Sequence, residues 1–147
     1  MDIWYVDLGL PSGTLWCKYN FGVNPHKLRF AKNWYGNYYM WGERIVKHIN
    51  NRYFSSDNWK QYRFGQPNKI TKYNEDDQLT HIENADDVTF LKSHGELRMP
   101  SAQEIYELIH HTSFNWVEDY NDVRGLDGML FINPYNNKEL FIPAAGS

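Results

Sequence analysis

Residues 6–16 read VDLGLPSGTLW, and this stretch predicts how the chain begins to fold. Apolar residues alternate with polar residues or glycine over positions 4–10, the period-two pattern of a half-buried strand. Residues 11–13 (PSG) predict a tight turn, because proline presets one backbone dihedral and glycine tolerates a positive φ. The alternation resumes over 15–21, so we expect the first twenty residues to form a β-hairpin.

Two short helices are predicted in the second half of the chain. Asn84 is expected to cap the first, which ends near Gly95. Ser101 and Glu104 have the Ser-x-x-Glu spacing of a capping box and predict the start of the second. The apolar face of this second helix is expected to comprise Ile105, Leu108 and Ile109, with His110 and His111 in its last turn.

Two further β segments complete the predicted elements. Residues 38–41 are expected to form a short aromatic strand. Residues 129–132 and 139–142 are expected to pair as a closing hairpin around a turn at 134–137. Two strand pairs with two helices between them indicate an α+β fold.

Four segments in a fixed order carry a resemblance to a known family: residues 6–16, 36–43 (GNYYMWGE), 97–104 (LRMPSAQE) and 140–146 (LFIPAAG). They resemble the FISUMP-type major paralogous domain family (Fibrobacter succinogenes major paralogous domain), found in surface proteins of gut Bacteroides-like bacteria. That family is similar to the C-type-lectin-like fold of formylglycine-generating enzymes. The resemblance implies one C-type-lectin-like α+β domain over residues 1–147.

The same resemblance implies structural roles for Trp16, Trp41, Arg98, Pro100, Ser101 and Glu104. Residues 98–104 look like a helix-starting segment of formylglycine-generating enzymes, in which Arg98 is placed for a buried ion pair. The family pattern continues beyond Pro-Ala-Ala-Gly into a segment rich in glycine and tyrosine, which is not present here. The fold is therefore expected to be a shortened version, a fragment, or a domain whose sheet edge is completed by a homo-oligomer or a partner chain.

Charge is strongly segregated along the sequence, although the net charge is only −3. Residues 44–73 carry seven basic side chains against one acidic, whereas 74–147 carry four basic against fourteen acidic. This pattern is typical either of a polyanion-facing loop or of two parts that neutralise each other on folding. The 44–73 segment also reads as a long loop rich in aromatic residues, and long loops are often functional. Its candidate ligand-binding residues are Tyr53, Trp59, Tyr62 and Arg63.

Metal and thiol chemistry receive weaker support from the sequence. Asp76, Asp77 and Glu83 are candidate Ca²⁺ ligands, since Ca²⁺ prefers several carboxylate oxygens, but their spacing matches no fixed loop motif. No other cofactor is expected. Cys17, the single cysteine, lies in phase with the apolar side of its predicted strand, which favours a packed core residue over a reactive thiolate. No catalytic residue is therefore assigned.

These observations predict a non-enzymatic recognition or structural module that binds a glycan or protein partner. The alternatives are a formylglycine-generating-type enzyme using Cys17 and a polyanion-binding protein. The net negative charge and the lack of a recognised module disfavour nucleic acid. No stretch approaches the roughly 20 apolar residues of a membrane span, and the first residues show no signal peptide. The expected location is a phage virion or a bacterial cell surface.

Overall fold

The computed structural model describes residues 4–47 and 59–146. These form a small α+β protein with short strands in three small antiparallel sheets and few helices. The chain divides into two compact units: unit 1 comprises Met1–Asn37 and Ala102–Ser147, and unit 2 comprises Tyr38–Ser101. Among the described residues, no helix is both long and apolar enough to cross a membrane.

Unit 1 contains most of the regular structure. Its elements are β1 (Tyr5–Val6), β2 (Trp16–Cys17), a 3₁₀ helix (Ala31–Trp34), helix α2 (Ala102–His111), β5 (Ser113–Val117), a 3₁₀ turn (Tyr120–Asp122), β6 (Gly128–Ile132) and β7 (Glu139–Pro143). The elements of unit 2 are β3 (Gly65–Gln66), β4 (Lys69–Ile70) and helix α1 (Val88–Lys92).

The predicted N-terminal hairpin is present, with a ladder of only two residues on each strand. β1 pairs antiparallel with β2. The N–H of Gly13 donates to the carbonyl of Leu10 at 2.9 Å, and Gly13 has φ of +77°. The turn therefore forms where proline and glycine predicted it.

The main sheet has the order β5-β6-β7, all antiparallel. The predicted closing hairpin corresponds to β6 and β7, in which Phe131 lies opposite Leu140. β5 was not predicted. It pairs with β6 so that Phe114 lies opposite Phe131 and Trp116 lies opposite Met129.

Apolar side chains cover both faces of this sheet. Phe131 and Leu140 lie on one face and pack with Leu108 of α2 and with the hairpin residues Val6, Leu8 and Leu10. Phe141, on the opposite face, packs with Trp34 and Leu126. The hairpin pattern is thus confirmed at its first strand, where the even-numbered positions from Val6 to Leu10 are buried.

Two predicted apolar faces in unit 1 are buried only in part. Leu108 of α2 is 1% exposed, but Ile105 and Ile109 are 43% and 39% exposed, so the expected apolar face is buried only in part. In the hairpin, Leu15 is half exposed, and the adjacent Trp16 packs against the core instead. The register explains this result, because Trp16 lies directly opposite the buried Val6 and therefore shares its core-facing side.

In unit 2 the cap of α1 is Asp87 and not Asn84. The Asp87 carboxylate accepts the N–H groups of Thr89 at 2.9 Å and Phe90 at 3.4 Å. Its other oxygen accepts the N–H of Met99 at 2.7 Å, which ties the 97–100 segment to the start of the helix. The helix is followed by Gly95, with φ of +84°, as its position predicted.

The predicted strand at 38–41 is absent. The N–H of Glu43 donates to the carbonyl of Met40 at 2.9 Å, which makes a turn at this point. Gly42 in the turn has φ of +76°, and a Cβ there would overlap the ring of Phe64. Close packing of an aromatic ring on the backbone therefore replaces strand pairing.

Candidate functional site

Three of the four predicted ligand-binding residues lie together in unit 2, and Tyr53 lies outside the described residues. The rings of Trp59 and Tyr62 meet edge to face with centroids 5.4 Å apart. The hydroxyl of Tyr62 donates to the carbonyl of Trp41 at 2.8 Å. Tyr62 thus already uses its polar group within the unit.

A row of edge-to-face aromatic contacts continues from this pair. The ring centroids of Tyr62 and Phe64 are 5.8 Å apart, and those of Phe64 and Tyr73 are 5.6 Å apart. The ring of Tyr73 in turn meets that of Trp41, with centroids 5.7 Å apart. Phe64 is buried, whereas Trp41 is 42% exposed. The row therefore acts as the core of this part of unit 2, with Trp41 at its accessible end.

Beside this row of aromatic rings, three side chains contact the buried carboxylate of Asp86. It is 3% exposed, accepts the Lys72 ammonium at 2.7 Å and the Tyr73 hydroxyl at 2.6 Å, and lies 3.3 Å from the guanidinium of Arg63. Arg63 also donates to the carbonyl of Gly42 at 3.2 Å. The cations come from the basic segment and the carboxylate from the acidic one, so at these residues the two segments neutralise each other.

The ionisation of this cluster follows from its contacts. Burial alone would raise the pKa of Asp86, but hydrogen bonds from Lys72 and Tyr73 and the charge of Arg63 outweigh it and hold the pKa below its ordinary value. The hydrogen bonds to Asp86 and then to Glu83 raise the pKa of Lys72. Both groups are therefore charged over the whole neutral range.

The structure does not bring the candidate calcium ligands together. Asp77 accepts backbone N–H groups, among them those of Tyr73 at 2.7 Å and Leu79 at 3.0 Å, and these lower its pKa. Glu83 is paired with Lys72 at 2.6 Å, and Asp76 is exposed. Across 4–47 and 59–146, no group of three or more His, Cys, Asp or Glu side chains is arranged to hold a metal ion.

The residues to which the family resemblance gives structural roles differ in how far they are exposed. Trp16 is half-buried against the core of unit 1. Arg98 is exposed. Helix α2 begins directly after Ser101, which follows the exposed Pro100. Glu104 lies on the first turn of this helix, where it accepts the Thr14 hydroxyl at 3.4 Å.

Cys17 lies at the end of β2 and is a free, half-buried cysteine. Burial raises the pKa of its thiol. Because the thiolate is the nucleophilic form, this environment opposes the activation that cysteine catalysis needs.

Unit 1 contains a cleft of about 290 Å³ that sequence reasoning missed. Its aromatic lining residues are Tyr5, Trp34, Tyr120 and Phe141. Its polar lining residues are Lys18, Asn137, Lys138 and Glu139. They come from three distant parts of the sequence, so no local motif marks them.

The inner wall of the cleft is a fixed aromatic and acidic arrangement. The ring of Tyr120 stacks on Phe141 at 4.1 Å and meets Trp34 edge-on at 5.8 Å. Its hydroxyl donates to the carboxylate of Glu139 at 2.9 Å. Burial and this hydrogen bond raise the pKa of Tyr120, so it stays a neutral donor.

The outer part of the cleft presents accessible groups. Tyr5 is 52% exposed. Lys18 and Lys138 are exposed and form no ion pair within the described part of the chain, although the Lys18 ammonium lies 5.6 Å from the ring of Tyr19. The cleft therefore offers an accessible ring, two cations and a carboxylate to a small ligand.

In comparisons with known proteins, no family model, curated protein or solved structure matches this chain.

Proposed function

We propose that this protein is a non-enzymatic recognition module whose unit 1 cleft binds a sugar residue of a glycan. The observation that carries the proposal is the combination of aromatic rings and accessible polar groups around one small cleft. Ligand sites in proteins are typically concave and apolar, with a few polar groups that fix orientation.

The size and chemistry of the cleft suit a single sugar ring. Its volume of about 290 Å³ lies at the small end of ligand pockets. The C–H face of a pyranose can stack on an exposed ring such as Tyr5. Its hydroxyl groups can donate to Glu139 and accept from Lys18 and Lys138, and neither lysine must break an ion pair with another described residue first.

The biological setting of the proposal rests on the resemblance described above. We place the protein in a C-type-lectin-like fold related to the FISUMP-type family, at a bacterial cell surface or in a phage virion. The small α+β architecture is compatible with that assignment. Recognition by such a module requires only a bound ligand and no reacting group.

Glycan-array screening of the full chain, followed by titration calorimetry of the best ligand, tests the proposal. Tyr5→Ala removes an exposed cleft ring, and we expect it to weaken binding at least tenfold. Tyr135→Ala is the matched control, because Tyr135 is 95% exposed in the β6–β7 turn and does not line the cleft. Equal affinities of these two variants, or no bound glycan on the array, would contradict the proposal.

The loop surface around Trp59 is the competing site. Trp59 is half-buried against Tyr62, whose hydroxyl is engaged, and Arg63 is held by Asp86. The polar groups of Tyr62 and Arg63 are thus already engaged within unit 2. If the double variant Trp59→Ala/Tyr62→Ala loses glycan binding while Tyr5→Ala retains it, the binding site lies in unit 2.

Thiol labelling separates the module from the enzyme alternative. Because burial raises the pKa of the Cys17 thiol, the native protein should react with a thiol reagent at neutral pH at least tenfold more slowly than the unfolded chain. Rapid labelling of the native protein would indicate an activated thiolate and would support the enzyme.

A further inference from the structure

The strand β5 is an edge of the main sheet and has two exposed aromatic side chains. Within the described residues β5 pairs with β6 alone. Phe114 is 48% exposed and Trp116 is 55% exposed. An edge strand with exposed aromatic residues is a template for pairing with another chain.

The exposed apolar surface extends from β5 to helix α2. Phe114 and Trp116 lie on the same sheet face as Phe131, because antiparallel partners that lie directly opposite share a face. Leu108 of α2 packs on that face with Phe131. Ile105 and Ile109 flank Leu108 on the helix and are exposed.

The sequence of β5 is complementary to itself. If two copies pair antiparallel about Asn115, each Phe114 lies opposite the partner's Trp116. Cross-strand aromatic pairs of this kind stabilise sheets by about 0.2–1 kcal/mol each. A shift of this register by one residue in either direction would place the aromatic side chains opposite Ser113, Asn115 or Val117 instead of opposite each other.

The polar residues that flank β5 are complementary in the same arrangement. His110 and His111 precede the strand, and Glu118 and Asp119 follow it. Antiparallel pairing brings the start of one strand beside the end of the other. The histidines of one copy therefore approach the carboxylates of its partner.

The area available is sufficient for a dimer of modest stability. An aromatic side chain buries 150–250 Å², so half-exposed Phe114 and Trp116 contribute roughly 200 Å² per copy. The two isoleucines bring the apolar area to roughly 350–400 Å² per copy, or about 750 Å² for two. At about 65% apolar content this corresponds to roughly 1,200 Å² in total, the lower bound of stable interfaces.

We propose that the β5 edge and the exposed face of α2 form a two-fold symmetric interface between two copies of this chain, centred on Asn115. The two three-stranded sheets then join into one antiparallel sheet of six strands. The opposite edge, β7, is less suited to pairing, because it ends at Pro143 and its apolar residues Leu140 and Phe141 are already buried.

Light scattering coupled to size exclusion provides the first test. At about 0.1 mM the full chain should show twice its 17.5 kDa mass, as expected for an interface of this size. Trp116→Lys places a charge on the edge and should restore the monomer. Tyr135→Lys, the control, should remain dimeric. A monomeric wild-type chain would overturn the proposal.

Cysteine cross-linking tests the register itself, in a Cys17→Ser background. Asn115→Cys should give a covalent dimer under mild oxidation, since residues directly opposite have Cα atoms about 4.5–5.5 Å apart. Ser113→Cys should not, because its two copies would lie about 13 Å apart along the strands. If the protein is a dimer but Asn115→Cys does not cross-link, the interface lies on another surface or in another register. The same conclusion follows if Ser113→Cys cross-links as well.

Discussion

Replacing the buried carboxylate of unit 2 tests the interpretation of the charge pattern. Asp86→Asn keeps the size of the side chain but removes the charge that accepts from Lys72 and Tyr73. Hydrogen bonds to a buried charged group contribute about 1.5–3 kcal/mol each. Lys72 and Arg63 have 30% and 41% exposed side chains and can regain water, which reduces the loss. We therefore expect the variant to be about 2 kcal/mol less stable.

Urea unfolding measures this loss against a matched control. With a typical urea dependence, about 2 kcal/mol lowers the midpoint by roughly 1 M. Asp76→Asn removes an exposed carboxylate nearby and should change stability by less than about 0.5 kcal/mol. Equal midpoints for the two variants would refute the reasoning, because Asp86 would then not be the centre of a stabilising cluster.

The stability difference between wild type and Asp86→Asn should depend on pH. The folded-state pKa of Asp86 lies below its ordinary value, so its contribution is present above the unfolded pKa, about 3.9, and is lost as pH falls through the folded pKa. The difference between wild type and Asp86→Asn should therefore be full at neutral pH and shrink in strong acid. A difference that stays constant down to about pH 2 would contradict the assignment.

Two further predictions concern backbone and core positions, each with its own control, and both are read from thermal or urea unfolding. Gly42→Ala should cost more than Gly13→Ala, because both glycines have positive φ but only a Cβ at position 42 would overlap a ring; equal losses would contradict this. Trp34→Phe should cost about 1–3 kcal/mol more than Trp16→Phe. The indole N–H of Trp34 donates to the Leu28 carbonyl at 3.0 Å, whereas that of Trp16 has no acceptor within the described residues. A larger loss for Trp16→Phe would contradict this prediction.

Local patterns in the sequence predicted local structure well. Alternation over positions 6–10 and the turn at 11–13 identified the first hairpin, and the closing hairpin matched β6 and β7. The start of α2 followed from the capping-box spacing. β5 also has a period-two pattern, in which Phe114 and Trp116 alternate with Ser113 and Asn115, so the sequence carries a signal for this strand too.

Features that depend on distant contacts were not accessible from the sequence. The 38–41 strand was wrong because Phe64 packs on the backbone of Gly42, some twenty residues away. Asp87 and not Asn84 caps α1, and it also accepts the N–H of Met99, a contact twelve residues away. The cleft draws on residues from Tyr5 to Phe141, whose proximity only the folded chain reveals.

A nitrogen-15 NMR titration of the full chain with the best glycan from the array locates the binding site residue by residue. We expect shift changes centred on the cleft, at Tyr5, Lys18, Lys138 and Glu139. These changes should be lost in Tyr5→Ala but not in Tyr135→Ala. Changes centred on Trp59 and Tyr62, or no change at saturating glycan, would contradict the cleft as the binding site.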